Sequence, residues 1–236
     1  MSSLRGGYRV VPQLENISWL VHGFGTKHWR ETDWNRDPHL GRFRRVHLRQ
    51  VHSDIIVFIK RIPSRLLSGD ALITGFSGIL LIIKTADCLP VILAEREGKA
   101  VAAVHCGWRG TRKRVLQKVL YAMQKNSGCR PKDMLAGMGP CIARECYEVG
   151  KSVYSDFARR GLHERVFQEH PSREGRYFLD IREANHAQMT ECGVLPENIF
   201  SLNLCTHCED DLWSYRRDRK SAGRLMNFVG MLPPGR

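Results

Sequence analysis

The stretch from Ile82 to Gly110, IIKTADCLPVILAEREGKAVAAVHCGWRG, decides how the chain is read. One apolar run through Ile83 ends in Asp87-Cys88, and a later one through Val104 ends in His105-Cys106-Gly107-Trp108-Arg109-Gly110. Both runs are short, rich in branched or small apolar residues and bounded by turn residues, which is the pattern of buried strands. A carboxylate, a thiol, an imidazole and a guanidinium therefore leave the ends of strands together, where a rigid scaffold can hold them at one point.

Working outward, Ile55–Ile59, Gly78–Ile83, Val91–Ala94 and Ala100–Val104 read as strands. From Thr111 the period changes. Val115, Leu116, Val119, Leu120 and Met123 recur at helical spacing, Lys and Arg fill the opposite face, and Gly128 supplies a stop. The turn carrying Trp108 and Arg109 is thus expected to open a helix, where free N–H groups favour an anion. A strand over Leu135–Met138 runs into Gly139-Pro140-Cys141, and a helix is expected from about Gly150 to Gly161. Asp180 and Glu183 have capping-box spacing before a helix that stops at Gly193. A strand near Ile199–Leu204, a polar turn over Cys205–Asp210 and a Trp-, Tyr- and Arg-rich tail close the chain. No repeat or linker-like stretch divides it, so the expectation is one α+β domain over 1–236, with a mixed β-sheet and flanking helices.

Composition narrows the function classes. Thirty-seven Lys and Arg against 24 Asp and Glu give a net charge of +13, which suits anionic ligands. The basic residues are scattered among Arg42, Arg44, Arg45, Arg112–Arg114 and Arg216–Lys220 with no nucleic-acid module around them, so a solvated basic surface is preferred to a specific nucleic-acid partner. Met1–Leu14 lacks the features of a secretory signal, and no apolar run approaches the roughly 20 residues that span a bilayer. The expectation is a cytoplasmic protein with no membrane partner, its eight cysteines reduced.

His52 precedes a strand, while Cys88 and His105 each lie at the end of one. Thiolate and imidazole are preferred zinc ligands, and three protein ligands leave a fourth position open, as catalytic sites do. The alternative is a set of ordinary buried Cys and His. Asp87 can orient a ligand or act as a base, or simply cap the turn before Leu89-Pro90. Arg109 can hold phosphate or carboxylate, or make a surface ion pair. Cys205-Thr206-His207-Cys208 is a CxxC, but no second CxxC lies at zinc-ribbon distance, so no second metal is assigned to it or to Cys192. Cys141 and Cys146 read as small, buried turn residues.

With these residues in view, TADCLPVIL, VHCGWRGT, GPCIARECYEVG, and CT followed by SYRRDRKSAGR resemble the YfiH family, also called the multicopper polyphenol oxidoreductase or laccase-domain family. The resemblance spans Gln50–Gly230, with four motifs in order. It implies an α+β fold shared in outline with a bacterial toxin domain of cysteine-hydrolase type. It also implies a catalytic zinc held by His52 of QVHS, Cys88 of TADC and His105 of HCGWRG. The activities implied are phosphorolysis of adenosine, inosine, guanosine and methylthioadenosine, and deamination of adenosine. The chain departs from the family in two places. Phe24-Gly25-Thr26-Lys27 followed by His28-Trp29-Arg30 stands where a Phe-x-x-Arg motif and a Gly-Gly-x-Ser loop are usual, without the glycine pair, and Cys106 stands where Ala is more common.

The leading expectation is therefore a zinc-dependent purine nucleoside phosphorylase, a monomer or small homo-oligomer whose partners are a nucleoside and phosphate. Arg109 and Arg216 are expected at the anion, Tyr215 on the base or over the pocket, Gln50 at the substrate, and Asp87 beside the reacting centre. A copper-dependent phenol oxidase is less favoured, since the ten histidines include no His-x-His pair. A hydrolase or peptidoglycan-editing amidase with Cys88 as nucleophile and His105 as base is the other alternative.

Overall fold

Alternation along three apolar runs sets the layers of the molecule. Residues 3–162 and 165–233 are described by the computed structural model, so both extremes of the 1–236 span read as one domain lie outside the described residues. In the strand Ile79–Thr85, Ile79, Leu81 and Ile83 point to one core while Leu80 and Ile82 point to another. In Leu89–Glu95, Ile92 and Ala94 join the first of these cores, while Val91 and Leu93 face a helical layer. Val101–Cys106 divides the same way, with Val101 and Ala103 on one side and Ala102, Val104 and Cys106 on the other. Successive side chains of a strand point to opposite faces, so a run that is apolar throughout is buried on both.

These strands belong to two stacked six-stranded sheets. The first comprises β1 (Ser3–Arg5), β2 (Tyr8–Val10), β3 (Leu20–Gly25), β4 (Arg44–His47), β7 (Ile79–Thr85) and β15 (Leu225–Met231), in the order β1-β2-β3-β15-β7-β4. The second comprises β5 (Ile56–Phe58), β6 (Ala71–Thr74), β8 (Leu89–Glu95), β9 (Val101–Cys106), β10 (Met134–Met138) and β14 (Ile199–Ser201), in the order β14-β10-β8-β9-β6-β5. Both mix parallel pairs, such as β4 with β7 and β5 with β6, with antiparallel ones. A three-stranded antiparallel sheet of β11 (Glu148–Gly150), β12 (Phe167–Glu169) and β13 (Arg176–Leu179) stands apart, in the order β11-β13-β12.

The short α1 (Pro12–Glu15) precedes β3. The outer face of the second sheet is covered by α3 (Val115–Ser127) and α5 (Ile181–Glu191), while α4 (Lys151–Ala158) packs on the small sheet. The α+β expectation with mixed pairing and flanking helices holds, and one mixed sheet is corrected to three sheets. The reason is pairing: β15 inserts between β3 and β7, joining the two ends of the chain, and nothing in its sequence names those partners. The expected helix from Thr111 is two helices, α2 (Trp108–Arg112) and α3, separated by Arg114 in the left-handed region at φ 60°. Gly128, at φ 65°, ends α3 as read from the sequence. The Asp180 side chain accepts the Glu183 N–H at the start of α5, as the capping-box spacing predicts. A last short helix, α6 (Tyr215–Asp218), returns the basic tail towards the end of β7. No helix of the described residues is long and apolar enough to cross a membrane.

Candidate active site

Where β7 hands over to β8 and β9 meets α2, the structure brings His52, Cys88 and His105 together. Their ligand atoms all lie within 4.8 Å of one another, and the two imidazole rings meet edge to face with centroids 4.9 Å apart. His105 occupies the face of β9 that carries Val101 and Ala103, so Cys106 points the opposite way, into the helical layer. Burial pushes the Cys106 thiol well above the ordinary range, which makes it a neutral packing group.

Asp70, just ahead of β6, lies behind the cluster and was not singled out from the sequence. Its carboxylate is fully buried, accepts the N–H groups of His52 at 3.0 Å and Ser53 at 2.5 Å, and accepts the Ser53 hydroxyl at 2.6 Å. It also lies 2.8 Å from Nδ1 of His105. With Nδ1–H donated to Asp70, Nε2 is the ring nitrogen left for a ligand. The same carboxylate anchors His52, whose backbone sits at φ 55°. Left-handed backbone at a residue other than glycine costs about 1–3 kcal/mol and persists only where surrounding contacts hold it.

The ionisations are coupled. Burial opposes charge on Cys88, but the His105 cation beside it and hydrogen bonds from His105 and His52 lower its thiol to about 6. Burial likewise disfavours a charged His105, but the Cys88 thiolate and Asp70 raise it to about 9. Asp70 is held at about 2 despite its burial, chiefly by His105 and Ser53. Two imidazoles and a readily formed thiolate make a donor set suited to a borderline cation such as Zn(II), with Asp70 as the outer carboxylate such ligands commonly have. Gly107 makes room for it: a Cβ there would stand 3.2 Å from Cys88 Sγ and 3.3 Å from His52 Cδ2.

The cluster opens into a cavity of about 970 Å³. Lys84, Arg109, Arg176, Arg216, Arg219 and Arg224 line it against two carboxylates, Asp87 and Glu148, so its wall is cationic. The Arg109 guanidinium lies over the Trp108 ring at 4.5 Å and has no carboxylate partner among the described residues. That leaves its donors for an anion, and α2, with only five residues, adds little to them.

Asp87, at φ 82°, accepts the Thr206 hydroxyl at 2.7 Å and the Arg216 N–H at 2.6 Å, tying α6 to the strand end. The Arg216 guanidinium donates to the Glu148 carbonyl at 2.9 Å and lies 5.6 Å from the Tyr147 ring centre. Arg217 points away and donates to the carbonyls of Thr206, His207, Glu209 and Leu212, a structural clamp. Tyr215 lines the cavity and is 52% exposed, free to cover a ligand. Gln50 also lines the cavity, but its amide bonds both the N–H and the C=O of Lys84, at 2.7 and 2.8 Å. That role is to hold the His52 loop against β7.

A family model described as multi-copper polyphenol oxidoreductase laccase matches residues 35–232. The chain belongs to this family, the YfiH family. Among its relatives, a Deinococcus radiodurans protein named purine nucleoside phosphorylase is 39% identical over 184 residues, covering 78% of this chain and 69% of that one. The Escherichia coli protein named purine nucleoside phosphorylase YfiH is 33% identical over 189 residues, covering 79% and 74%. The crystal structure of YlmD from Geobacillus stearothermophilus superposes with a TM-score of 0.86 at 27% identity, covering 99% of this chain and 98% of that one. That of a Bacillus licheniformis YfiH protein does so with a TM-score of 0.87 at 24% identity, covering 98% and 99%, and speaks to the fold alone. The segment around Lys27 packs on the tail: Lys27 N–H donates to the Asp211 carbonyl, and its ammonium lies 4.7 Å from the Trp213 ring centre.

Proposed function

We propose that the chain is a zinc-dependent purine nucleoside phosphorylase, with adenosine, inosine, guanosine or methylthioadenosine as substrate and adenosine deamination as a second activity of the same site. The observation that carries this reading is the His52–Cys88–His105 cluster, backed by Asp70 and set in the floor of a cationic cavity large enough for a nucleoside and phosphate. The names of its relatives support the reaction class.

His52, Cys88 and His105 would hold the zinc, which supplies Lewis-acid polarisation of an oxygen at that point. Arg109 and Arg216 hold phosphate by charge-assisted hydrogen bonds at the cavity wall. Asp87 positions Arg216 through its main-chain N–H, and Tyr215 covers the base. In phosphorolysis a phosphate oxygen forms the new bond to ribose C1′ as the bond from C1′ to the base nitrogen breaks. The base leaves with one proton, and the products are free base and ribose 1-phosphate, or 5-methylthioribose 1-phosphate from methylthioadenosine. The cavity wall orients the anion and the nucleoside and limits competing attack by water. We place the reaction in the cytoplasm and treat residues 1–236 as one functional unit.

A second reading has a specific observation in its favour. Asp70, His105 and Cys88 lie in the order orienting carboxylate, base and nucleophile, the arrangement of a cysteine hydrolase or peptidoglycan-editing amidase. One experiment separates the readings. Metal-loaded protein is given each of the four nucleosides, with and without phosphate. Phosphate-dependent release of base and the corresponding pentose 1-phosphate, lost in folded His52→Ala and His105→Ala variants, is the expected result. The phosphorylase reading is overturned by absence of base release from all four. Hydrolysis that survives a chelator supports the Cys88 nucleophile instead, and oxygen uptake with a phenol that needs stoichiometric copper supports the oxidase.

A further inference from the structure

Beyond the cavity, a second group of soft ligands converges from two distant segments. Cys146 ends a 3₁₀ turn over Arg144–Cys146, and Cys205 and Cys208 lie in the loop after β14. Their three Sγ atoms lie within 4.8 Å of one another, with Cys146 Sγ only 3.5 Å from Cys208 Sγ. The backbone builds this meeting. Cys141 pairs with Cys205 in an isolated parallel bridge: Cys141 N–H donates to the Leu204 carbonyl at 3.3 Å and Thr206 N–H to the Cys141 carbonyl at 3.0 Å. Within the loop, Cys208 and Glu209 both donate to the Cys205 carbonyl. Cys205 Sγ accepts the Ala143 N–H at 3.3 Å, a contact that favours the thiolate. Cys146 is half-buried rather than the buried turn residue read from the sequence, and Cys192, at the end of α5, takes no part.

We propose that Cys146, Cys205 and Cys208 form a second metal site, a three-thiolate nest for a closed-shell thiophilic cation, Zn(II) or Cu(I). The separation fits. Zinc–sulfur bonds of about 2.3 Å put tetrahedral sulfurs ~3.8 Å apart, so a spread of up to 4.8 Å closes with small side-chain rotations. Thiolates select this class of ion, and the exposed Cys208 leaves a path of entry and an open side for a fourth ligand on zinc or none on Cu(I). All three thiols are free in the structure. The ion would join the segment leading into Tyr147 and Glu148, on the cavity wall, to the loop whose Thr206 hydroxyl holds Asp87. It would thus brace the cavity from outside, whatever reaction takes place within.

The test uses the full chain, reduced, stripped by chelator and titrated with Cd(II). Bound ions are counted by mass spectrometry, and the thiolate-to-cadmium charge-transfer band is read in the ultraviolet. The wild type is expected to bind two ions. Cys88→Ser is expected to keep one ion with about three-quarters of the band, three thiolates out of four. Cys205→Ser and the surface variant Cys208→Ser are expected to weaken that second ion at least tenfold while the first stays bound. Cd(II) is also expected to protect Cys146, Cys205 and Cys208 from alkylation in Cys88→Ser protein. The proposal is overturned by Cys88→Ser protein that binds no ion, by a band indifferent to Cys205 and Cys208, by thiols that alkylate equally fast with Cd(II), or by a Cys146–Cys208 disulfide that forms in air whether or not Cd(II) is present.

Discussion

Nδ1 of His105 lies 2.8 Å from the carboxylate of Asp70, a residue with no exposed surface. The contact fixes which nitrogen of His105 faces the cavity, and through its bonds to His52 and Ser53 the same carboxylate fixes the loop that brings His52 alongside. Asp70→Asn removes the charge and puts an amide where donors converge. Loss of such an outer-shell partner typically costs 10–100-fold in metal affinity. Asp70→Asn protein is therefore expected to bind zinc 10–100-fold more weakly in competition with a chromophoric chelator. Ser53→Ala, which leaves the His105 contact intact, is expected to lose less than fivefold.

Gly107 makes a sharper test of the cluster because its backbone, at φ −75° and ψ 164°, suits any residue. Gly107→Ala adds one methyl group at 3.2 Å from Cys88 Sγ and 3.3 Å from His52 Cδ2, where those groups must yield by a few tenths of an ångström. Crowding of this size costs about 1–3 kcal/mol in a packed interior. The variant is expected to stay folded, with a Tm lower by a few degrees, and to bind metal at least tenfold more weakly. Metal content beside a thermal melt measures both, and an unchanged zinc stoichiometry and affinity would show that the three side chains do not share an ion.

Legibility differed sharply between the two sides of this site. His52, Cys88 and His105 stand in recognisable motifs at the edges of apolar runs, so they could be picked out as candidates, although the spacing between them does not dictate that they meet as they do. Asp70 stands in Gly69-Asp70-Ala71 with no motif around it, and reaches His105 only because β6 pairs with β9 in a register that sets Ala71 opposite Val104. A register between strands distant in sequence leaves no local trace. Gln50 makes a contact of the same hidden kind: its amide bonds the main chain of Lys84, and backbone partners carry no side-chain signature. β15 was hidden because the buried Asn227 breaks its apolar run, although its amide bonds the Ile83 carbonyl and the Thr85 hydroxyl.

Acidity at Cys88 gives a prediction whose sign follows from its neighbours. A thiol alkylates as thiolate, so its rate rises with pH through the pKa, ordinarily about 8.5. In chelated protein the midpoint for Cys88 is expected near 6, because burial is outweighed by the His105 charge and the two histidine hydrogen bonds. His105→Ala removes the larger of these opposing effects and is expected to move the midpoint upward by at least one unit. With zinc bound, alkylation of Cys88 is expected to slow at least tenfold at every pH. Peptide mass spectrometry of the Cys88 site against pH measures all three, and a midpoint near 8.5 in the wild type would contradict the thiolate assignment.

Arg109 carries the clearest prediction about substrate. Its guanidinium lines the cavity beside His105, stacks on Trp108 and has no carboxylate partner among the described residues, so a bound phosphate need not displace an ion pair to reach it. A hydrogen bond to a charged group contributes roughly 1.5–3 kcal/mol, about 10–150-fold in an equilibrium constant. Arg109→Ala is therefore expected to raise the KM for phosphate 10–150-fold at saturating nucleoside, with a much smaller change in the KM for the nucleoside. Arg109→Lys keeps the charge but loses the planar fork, and is expected to recover only part of that affinity. The tail residue Arg217, whose donors are all spent on main-chain carbonyls and Asp218, is the internal contrast. Arg217→Ala is expected to lower the Tm rather than to act on phosphate alone. If Arg109→Ala leaves the phosphate KM unchanged while activity persists, the anion lies elsewhere along the wall, with Arg216 the next residue to replace.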